Sequence, residues 1–301
     1  YMGVYEIRDR DEAVSIMVDK ANIAADTIKN NYDCCVAYYD EHLLEISIEQ
    51  RRLLGEFEPA LQKDEFAMYL QPQVNRDGAA KGAEALVRWV HPSRGILTPY
   101  AFIDILENAG LIYKLDLYIW EKAAQKLAEW KEKGYGSYHI SVNISTKDFY
   151  IIDIYETFTG LINKYGIAAS NLHLEITETT LMTDFEKNMN IIHKLQGVGF
   201  RVEIDDFGSG YSSLNMLKDI SADVLKIDMG FLRKSENEVK GQDILESIIA
   251  LAGKIGMDVI TEGVETKKQL DMLTMMGCHE FQGYYFSKPV PVSEFEEKYL
   301  V

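Results

Sequence analysis

From about residue 66 onward, short runs rich in branched and aromatic side chains alternate with longer amphipathic stretches. The strand-like runs are 68–74, 82–89, 138–144, 172–177, 200–206, 224–228, 258–262 and 280–286, eight in all. Between them, helical periodicity is clear at 185–196 (Phe185, Met189, Ile192, Leu195), 241–255 (Ile244, Ile248, Leu251, Ile255) and 266–276 (Leu270, Leu273, Met276). Apolar positions spaced three or four apart bury one stripe of a helix, whereas short continuous apolar runs suit strands covered on both faces. Repeated strand–helix alternation fits an α/β fold, a closed (β/α)8 TIM-like barrel, with a doubly wound open sheet as the competing arrangement.

Two features make the expected barrel irregular. Asn75-Arg76-Asp77-Gly78 is too short to hold a crossover helix, so the first strand is expected to run antiparallel to the second. The long stretch before the third strand carries two helical patterns, 99–109 and 114–133, the first opened by Thr98-Pro99 and the second closed by Gly134.

Residues 1–47 differ. A strand over 2–7, an amphipathic helix over 11–29 (Ala13, Ile16, Met17, Ala21, Ile23, Ala24) and a strand from Cys34 to Tyr39 form a short α+β piece. So small a unit cannot bury a sufficient core alone, and it reads as the tail of an adjoining domain. A helical pattern over 43–63, with Leu43, Ile46, Leu53, Leu54, Phe57 and Leu61 on its apolar side, follows it. The chain therefore divides into an N-terminal remnant at 1–47, a connecting helix at 48–65 and the barrel at 66–301.

Charge narrows the partners. The 301 residues carry 48 acidic and 31 basic side chains, a net charge of −17, and 47% are hydrophobic. A surface this acidic argues against polymeric DNA or RNA, whose backbone needs basic neutralisation. It leaves room for a small phosphorylated ligand held through metal. No apolar run approaches the length of a membrane span, so this piece is expected to make no membrane contact. With no secretory leader, it reads as a cytoplasmic fragment of a longer protein, which missing upstream segments could anchor to a membrane. Cys34, Cys35 and Cys278 suggest reduced thiols rather than a disulfide framework.

The chemistry lies at the strand ends. Glu84, Asn143, Glu175, Asp205, Asp206, Lys226, Glu262 and Gln282 all fall near the ends of successive strand-like runs. In a barrel those ends form one rim, and side chains from different strands meet there. Desolvating one carboxylate costs several kcal/mol, so a cluster of them requires cations. All-oxygen ligands select hard ions such as Mg²⁺ or Mn²⁺, and adjacent Asp205 and Asp206 allow one side chain to bridge two of them. Two such ions suit phosphodiester cleavage. Lys226 reads either as the group that positions a water or as a salt bridge to a neighbouring acid, and Arg88 as a phosphate fork or a barrel-wall ion pair. The glycine-containing segment Asp206 to Ser213 offers backbone amides to a phosphate. His42, His91, His139, His173, His193 and His279 show no ligand spacing and read as surface or packing residues. Met272, Met275 and Met276, at helical spacing, read as core or helix surface. A metal-assisted barrel enzyme of the enolising or aldol type is a further reading of the lysine among acids.

Taken in order, Glu84-Ala85-Leu86, Val142-Asn143-Ile144-Ser145, Glu175-Ile176-Thr177-Glu178, Asp205-Asp206-Phe207-Gly208, Leu225-Lys226-Ile227-Asp228, Glu262-Gly263-Val264-Glu265 and Gln282-Gly283-Tyr284 resemble the EAL-domain family of cyclic di-GMP phosphodiesterases. The likeness runs from Tyr69 to Pro289. It implies hydrolysis of cyclic di-GMP to linear pGpG with Mg²⁺ or Mn²⁺, two per site, in bacterial second-messenger signalling. It implies one metal on Glu84, Asn143, Glu175 and Asp205, and a second on Asp205, Asp206 and Glu262. It further implies that Lys226 orients the attacking water, that Glu262 is a general base, and that Glu178 braces the Asp-Asp-Phe-Gly loop. By the same likeness Gln71, Leu86, Arg88, Glu265 and Gln282 line the substrate site, and the barrel forms a homodimer. Ser209 and Tyr285 depart from the family pattern without removing a ligand. A catalytically silent cyclic di-GMP receptor is the alternative, although such receptors usually lack several of these ligands. The N-terminal piece resembles the last strand–helix–strand of a GGDEF (diguanylate cyclase-like) domain, which implies upstream GGDEF or sensor domains in the intact protein.

Overall fold

The computed structural model describes residues 1–28, 35–207, 220–230 and 238–300. At the N-terminus, strands β1 (Met2–Val4) and β2 (Val36–Tyr38) pair in parallel, with helix α1 (Val14–Asp26) between them in sequence. Gly3 lets α1 lie close: a Cβ there would come within 1.8 Å of the Ala21 carbonyl oxygen. Asp40 then caps helix α2 (Glu41–Gln62), its side chain accepting from the Leu43 amide at 3.0 Å. The helical pattern expected over 43–63 is thus one continuous helix that starts two residues earlier, and Leu53, Phe57 and Ala60 in its second half join the barrel's core.

The barrel opens with strand β3 (Phe66–Val74) and strand β4 (Ala80–His91), an antiparallel hairpin. Asn75 holds the turn by accepting from the Asp77 and Ala79 amides, both at 3.0 Å, and Gly78 takes the left-handed conformation at φ 83°. Short strand β5 (Gly95–Leu97) extends the outer end of β4 and was not expected from the sequence. After it, the 99–109 pattern splits. Pro99–Ala101 is a 3₁₀ turn and helix α3 covers only Ile103–Asn108, because Phe102 leaves helical geometry to bury its ring against Phe66 and Trp89. Thr98 makes no side-chain capping bond. Helix α4 (Ile112–Glu132) ends before Gly134, at φ 93°.

Strand β6 (His139–Ile144), helices α5 (Asp148–Ile151) and α6 (Ile154–Tyr165), strand β7 (Leu172–Thr177), helices α7 (Glu178–Thr183) and α8 (Phe185–Val198), and strand β8 (Val202–Phe207) continue the alternation. Strand β9 (Val224–Asp228), helix Glu238–Lys254, strand β10 (Asp258–Glu262) and helix Lys267–Met275 follow. Strands β11 (Glu280–Phe281) and β12 (Val290–Pro291) and helix Val292–Tyr299 complete the order. Strands β4, β6, β7, β8, β9, β10 and β11 run parallel, and β3 closes the ring by pairing antiparallel with β4 on one side and β11 on the other. The fold is a (β/α)8 TIM-like barrel with an antiparallel first strand, preceded by a small α+β unit. The eighth strand is much shorter than the expected 280–286. After Phe281 the chain turns back on Val264, where Gly283 leaves no room for a side chain: a Cβ would lie 2.2 Å from the Val264 oxygen.

Candidate active site

Lys226, in the middle of β9, is fully buried, and its ammonium is the hub of the barrel mouth. Four carboxylates from four other strands surround it. Its Nζ lies 2.8 Å from Glu175 Oε2 (β7), 2.6 Å from Glu262 Oε1 (β10), 3.4 Å from Glu84 Oε2 (β4) and 3.4 Å from Asp205 Oδ1 (β8). Strand registry explains the convergence. Asn143 is level with Glu175, which is followed on the same face by Thr177 level with Asp205, and Lys226 is level with Ile260, two residues before Glu262. Alternation along each strand therefore aims these side chains at one volume.

The remaining bonds fix Glu84. Asn143 Nδ2 donates to its Oε1 at 3.1 Å, and Gln282 Nε2 donates to its Oε2 and, at 3.3 Å, to Gln71 Oε1. Gln71 in turn donates to the Ser287 carbonyl at 3.3 Å. Glu175 Oε1 is buried with no hydrogen-bond partner. Burial, and then the facing Glu84, raise the Glu175 carboxyl well above its usual range. Burial raises Glu262 well above its range too, although Lys226 pulls it down. For Lys226 burial favours the neutral amine, but Asp205, Glu175, Glu262 and Glu84 together hold the ammonium well above its ordinary value. One ammonium cannot neutralise four carboxylates.

Asp205 and Asp206 occupy a β-bulge, where the β8–β9 register shifts between Ile204 and Phe207. Asp206 sits at φ 56°, a strained backbone for a residue with a side chain, and its amide donates to Asp205 Oδ1 at 2.9 Å. Burial and the neighbouring Asp205 and Asp228 raise the Asp206 carboxyl. Leu86 and Arg88 follow Glu84 on the same face of β4. Arg88 is half-buried, donates to the Val87 carbonyl at 2.8 Å and lies over the Tyr69 ring at 5.6 Å. Glu178 is half-buried at the start of α7, and Glu265 is exposed beyond β10. The segment 208–213, with Ser209 and the loop that Glu178 is expected to brace, lies outside the described residues, as does Cys34.

Asp228, given by the sequence only as the end of the Leu225–Asp228 motif, is level with Glu262 and accepts from the Gly230 amide at 2.7 Å. His139 and His173, read from the sequence as surface or packing residues, are packing residues with polar partners. Their rings stack at 3.8 Å inside the opposite end of the barrel, beside a fully buried Glu203. The signal was present: residues 139, 173 and 203 precede Asn143, Glu175 and Asp205 by even spacings on the same strands, so alternation points them inward.

Fold and site together define a TIM-like barrel with an oxygen-lined, strongly acidic strand-end pocket built around one buried lysine. The chain belongs to the EAL-domain family, whose model matches residues 55–289. It is 32% identical over 272 residues to the bifunctional diguanylate cyclase/cyclic di-GMP phosphodiesterase MucR of Pseudomonas aeruginosa, covering 90% of this chain and 39% of that protein. It is 33% identical over 240 residues to the cyclic di-GMP phosphodiesterase PdeR of Escherichia coli, covering 80% of this chain and 36% of that one. The chain thus spans well under half the length of these curated relatives. Among solved structures, the PaMucR phosphodiesterase in complex with c-di-GMP superposes with a TM-score of 0.77 at 33% identity, over 81% of this chain and 99% of that one.

Proposed function

We propose that the chain is a metal-dependent phosphodiesterase that hydrolyses cyclic di-GMP to linear pGpG in bacterial second-messenger signalling. The observation that carries this reading is the Lys226 hub, where four carboxylates from four strands crowd one ammonium in a buried mouth. Family membership and the names of the relatives support the substrate.

The donor set fits hard divalent ions. It consists of oxygens from Glu84, Asn143, Glu175, Asp205, Asp206 and Glu262, it carries excess negative charge, and Glu175 Oε1 is buried without a donor. We assign Mg²⁺ or Mn²⁺, two per site, to these residues; bound there, the ions would activate water and stabilise charge on the phosphoryl oxygens. Lys226 holds the attacking water by a hydrogen bond and keeps its proton while doing so, since the acids around it favour the ammonium. Glu262 receives the proton that the water gives up. Gln71, Gln282 and Leu86 shape the pocket floor, and Arg88 and Glu265 stand at its edge to meet phosphate and base.

In this reading residues 1–47 are the end of a GGDEF-like domain, 48–65 the connector and 66–301 the catalytic barrel, working in the cytoplasm downstream of GGDEF or sensor domains and as a homodimer through the barrel. Among the described residues no helix is long and apolar enough to cross a membrane. The test is chromatography of nucleotides after incubation with cyclic di-GMP and either metal. Linear pGpG is expected, and Glu262→Gln is expected to slow its appearance about 10²–10⁴-fold, the usual worth of a general base. Binding without pGpG would identify a receptor instead.

A further inference from the structure

We propose that His139, His173 and Glu203 form a binding site for one borderline divalent transition-metal ion of the zinc class at the N-terminal end of the barrel, opposite the carboxylate mouth. One donor atom from each residue lies within 4.8 Å of the others. The three come from adjacent strands β6, β7 and β8, and they border a cavity of about 560 Å³ that leaves space for a further ligand such as water. Two imidazoles with one carboxylate and an open position make a donor set that favours zinc-class ions, whereas the all-oxygen mouth favours Mg²⁺ or Mn²⁺.

Hydrogen bonds to the outer nitrogens hold both rings in the ion-free arrangement. His173 Nε2 lies 3.2 Å from the Ser170 carbonyl, where only a donated N–H makes sense, and His139 Nε2 lies 2.7 Å from Gln73 Oε1. Donation from the outer nitrogen to a carbonyl oxygen is the usual support of a metal-bound histidine, and in His173 it leaves Nδ1 toward Glu203. His173 Nδ1 meets Glu203 Oε1 at 2.6 Å, and Ser141 Oγ reaches the same oxygen at 3.2 Å. Glu203 Oε2 remains buried with no partner, in a residue with no exposed surface. A proton on His173 would serve only Oε1. An ion shared with both imidazoles also satisfies Oε2.

Two features of the surroundings belong to this arrangement. Gly82 on β4 makes room for the His139 ring, since a Cβ there would meet it at 2.4 Å. The stacked rings are 4° from parallel, so both cannot aim in-plane lone pairs at one ion. Binding turns His139 about its Cβ–Cγ bond, out of the stack and toward the cavity it borders. The N-terminal face of such barrels serves stability, so the ion acts as a staple across β6, β7 and β8. Those strands carry Asn143, Glu175 and Asp205 at their other ends.

The experiment is equilibrium dialysis of the chelator-stripped full chain against Zn²⁺ in a large excess of Mg²⁺, which occupies the oxygen site. One Zn²⁺ per chain is expected. His139→Phe, which keeps a ring in the stack, and Glu203→Gln are each expected to weaken binding by more than the roughly 10–100-fold typical of losing an outer-shell partner. Titration of the unaltered chain with Co²⁺, again in excess Mg²⁺, needs no variant. An intense visible band from four-coordinate nitrogen and oxygen ligation is expected, whereas octahedral oxygen sites absorb only weakly. No retained Zn²⁺ in excess Mg²⁺, no such Co²⁺ band, or Zn²⁺ binding unchanged in both folded variants would each overturn the assignment.

Discussion

Lys226 concentrates the physics of this molecule in one side chain. It has no exposed surface, yet its charge is secured by four acids, each of which is in turn costly to bury without it. Removing one partner of a buried ionic cluster typically costs about 3–5 kcal/mol, because the charges left behind lose their compensation. Lys226→Met should therefore melt at a lower temperature than the parent in a chelating buffer, and Mg²⁺ should recover part of the loss by taking over neutralisation. Scanning calorimetry with and without Mg²⁺ checks this; equal destabilisation in both buffers would remove the oxygen cluster from consideration as a metal site. At this scale the sequence was informative because acids and amides at strand ends are chemically costly and few. Alternation along the strands turns His139 and His173 inward, but their stacking on each other depends on strand registry, since they are 34 positions apart and share no motif.

Between elements, α4 and α5 meet through a pair of carboxyls beneath the exit of β6. Asp148 is buried, accepts from the Ser145 amide at 2.8 Å and keeps Oδ1 without a fixed donor, and its charge bears on the Asp116 carboxyl. Burial, reinforced by Asp148, raises Asp116 well above the usual carboxylate range, and burial raises Asp148 as well. A carboxyl raised on folding contributes its full stability below its unfolded value, near 3.8 for aspartate, and loses it as pH climbs through the raised value. Asp116→Asn keeps a donor toward Asp148 and removes the titration. Its melting temperature should exceed the parent's at pH 8 by a few degrees, with the gap closing toward pH 4. A gap that stays constant with pH would show that the pair does not share a proton. The helices themselves were legible from apolar spacing. This contact was not, since it depends on the crossing of α4 with α5 rather than on either pattern.

At the scale of the whole molecule, the described core belongs to the barrel and the second half of α2. Ala24 and Ile28 are buried in the N-terminal unit but stand apart from the main cluster, which takes in Leu53, Phe57 and Ala60 of α2 together with the barrel. Ion pairs of Arg94 with Glu49 and Glu56, and a His91–Glu56 contact at 2.9 Å, tie α2 to the barrel. A chain beginning at residue 41 should thus remain a folded barrel, with a melting temperature within a few degrees of the full chain. Circular dichroism on the truncated protein checks this, and an aggregated product would show that the small unit covers barrel surface. Closure of the ring was foreseeable from the repeated alternation and the short Asn75–Gly78 turn. The shortened eighth strand was not, because it depends on how closely the chain after Phe281 passes Val264.

By itself the sequence determined the alternation of elements, the reversed first strand and the acids offered at the strand ends, because periodicity and turn length act locally. Only tertiary structure decided which acids share one ammonium, where the bulge at Asp205 and Asp206 bends the strand, and that two imidazoles and Glu203 meet at the opposite end. Those outcomes depend on registry around a closed barrel, and registry is settled by all of the strands together rather than by any one of them.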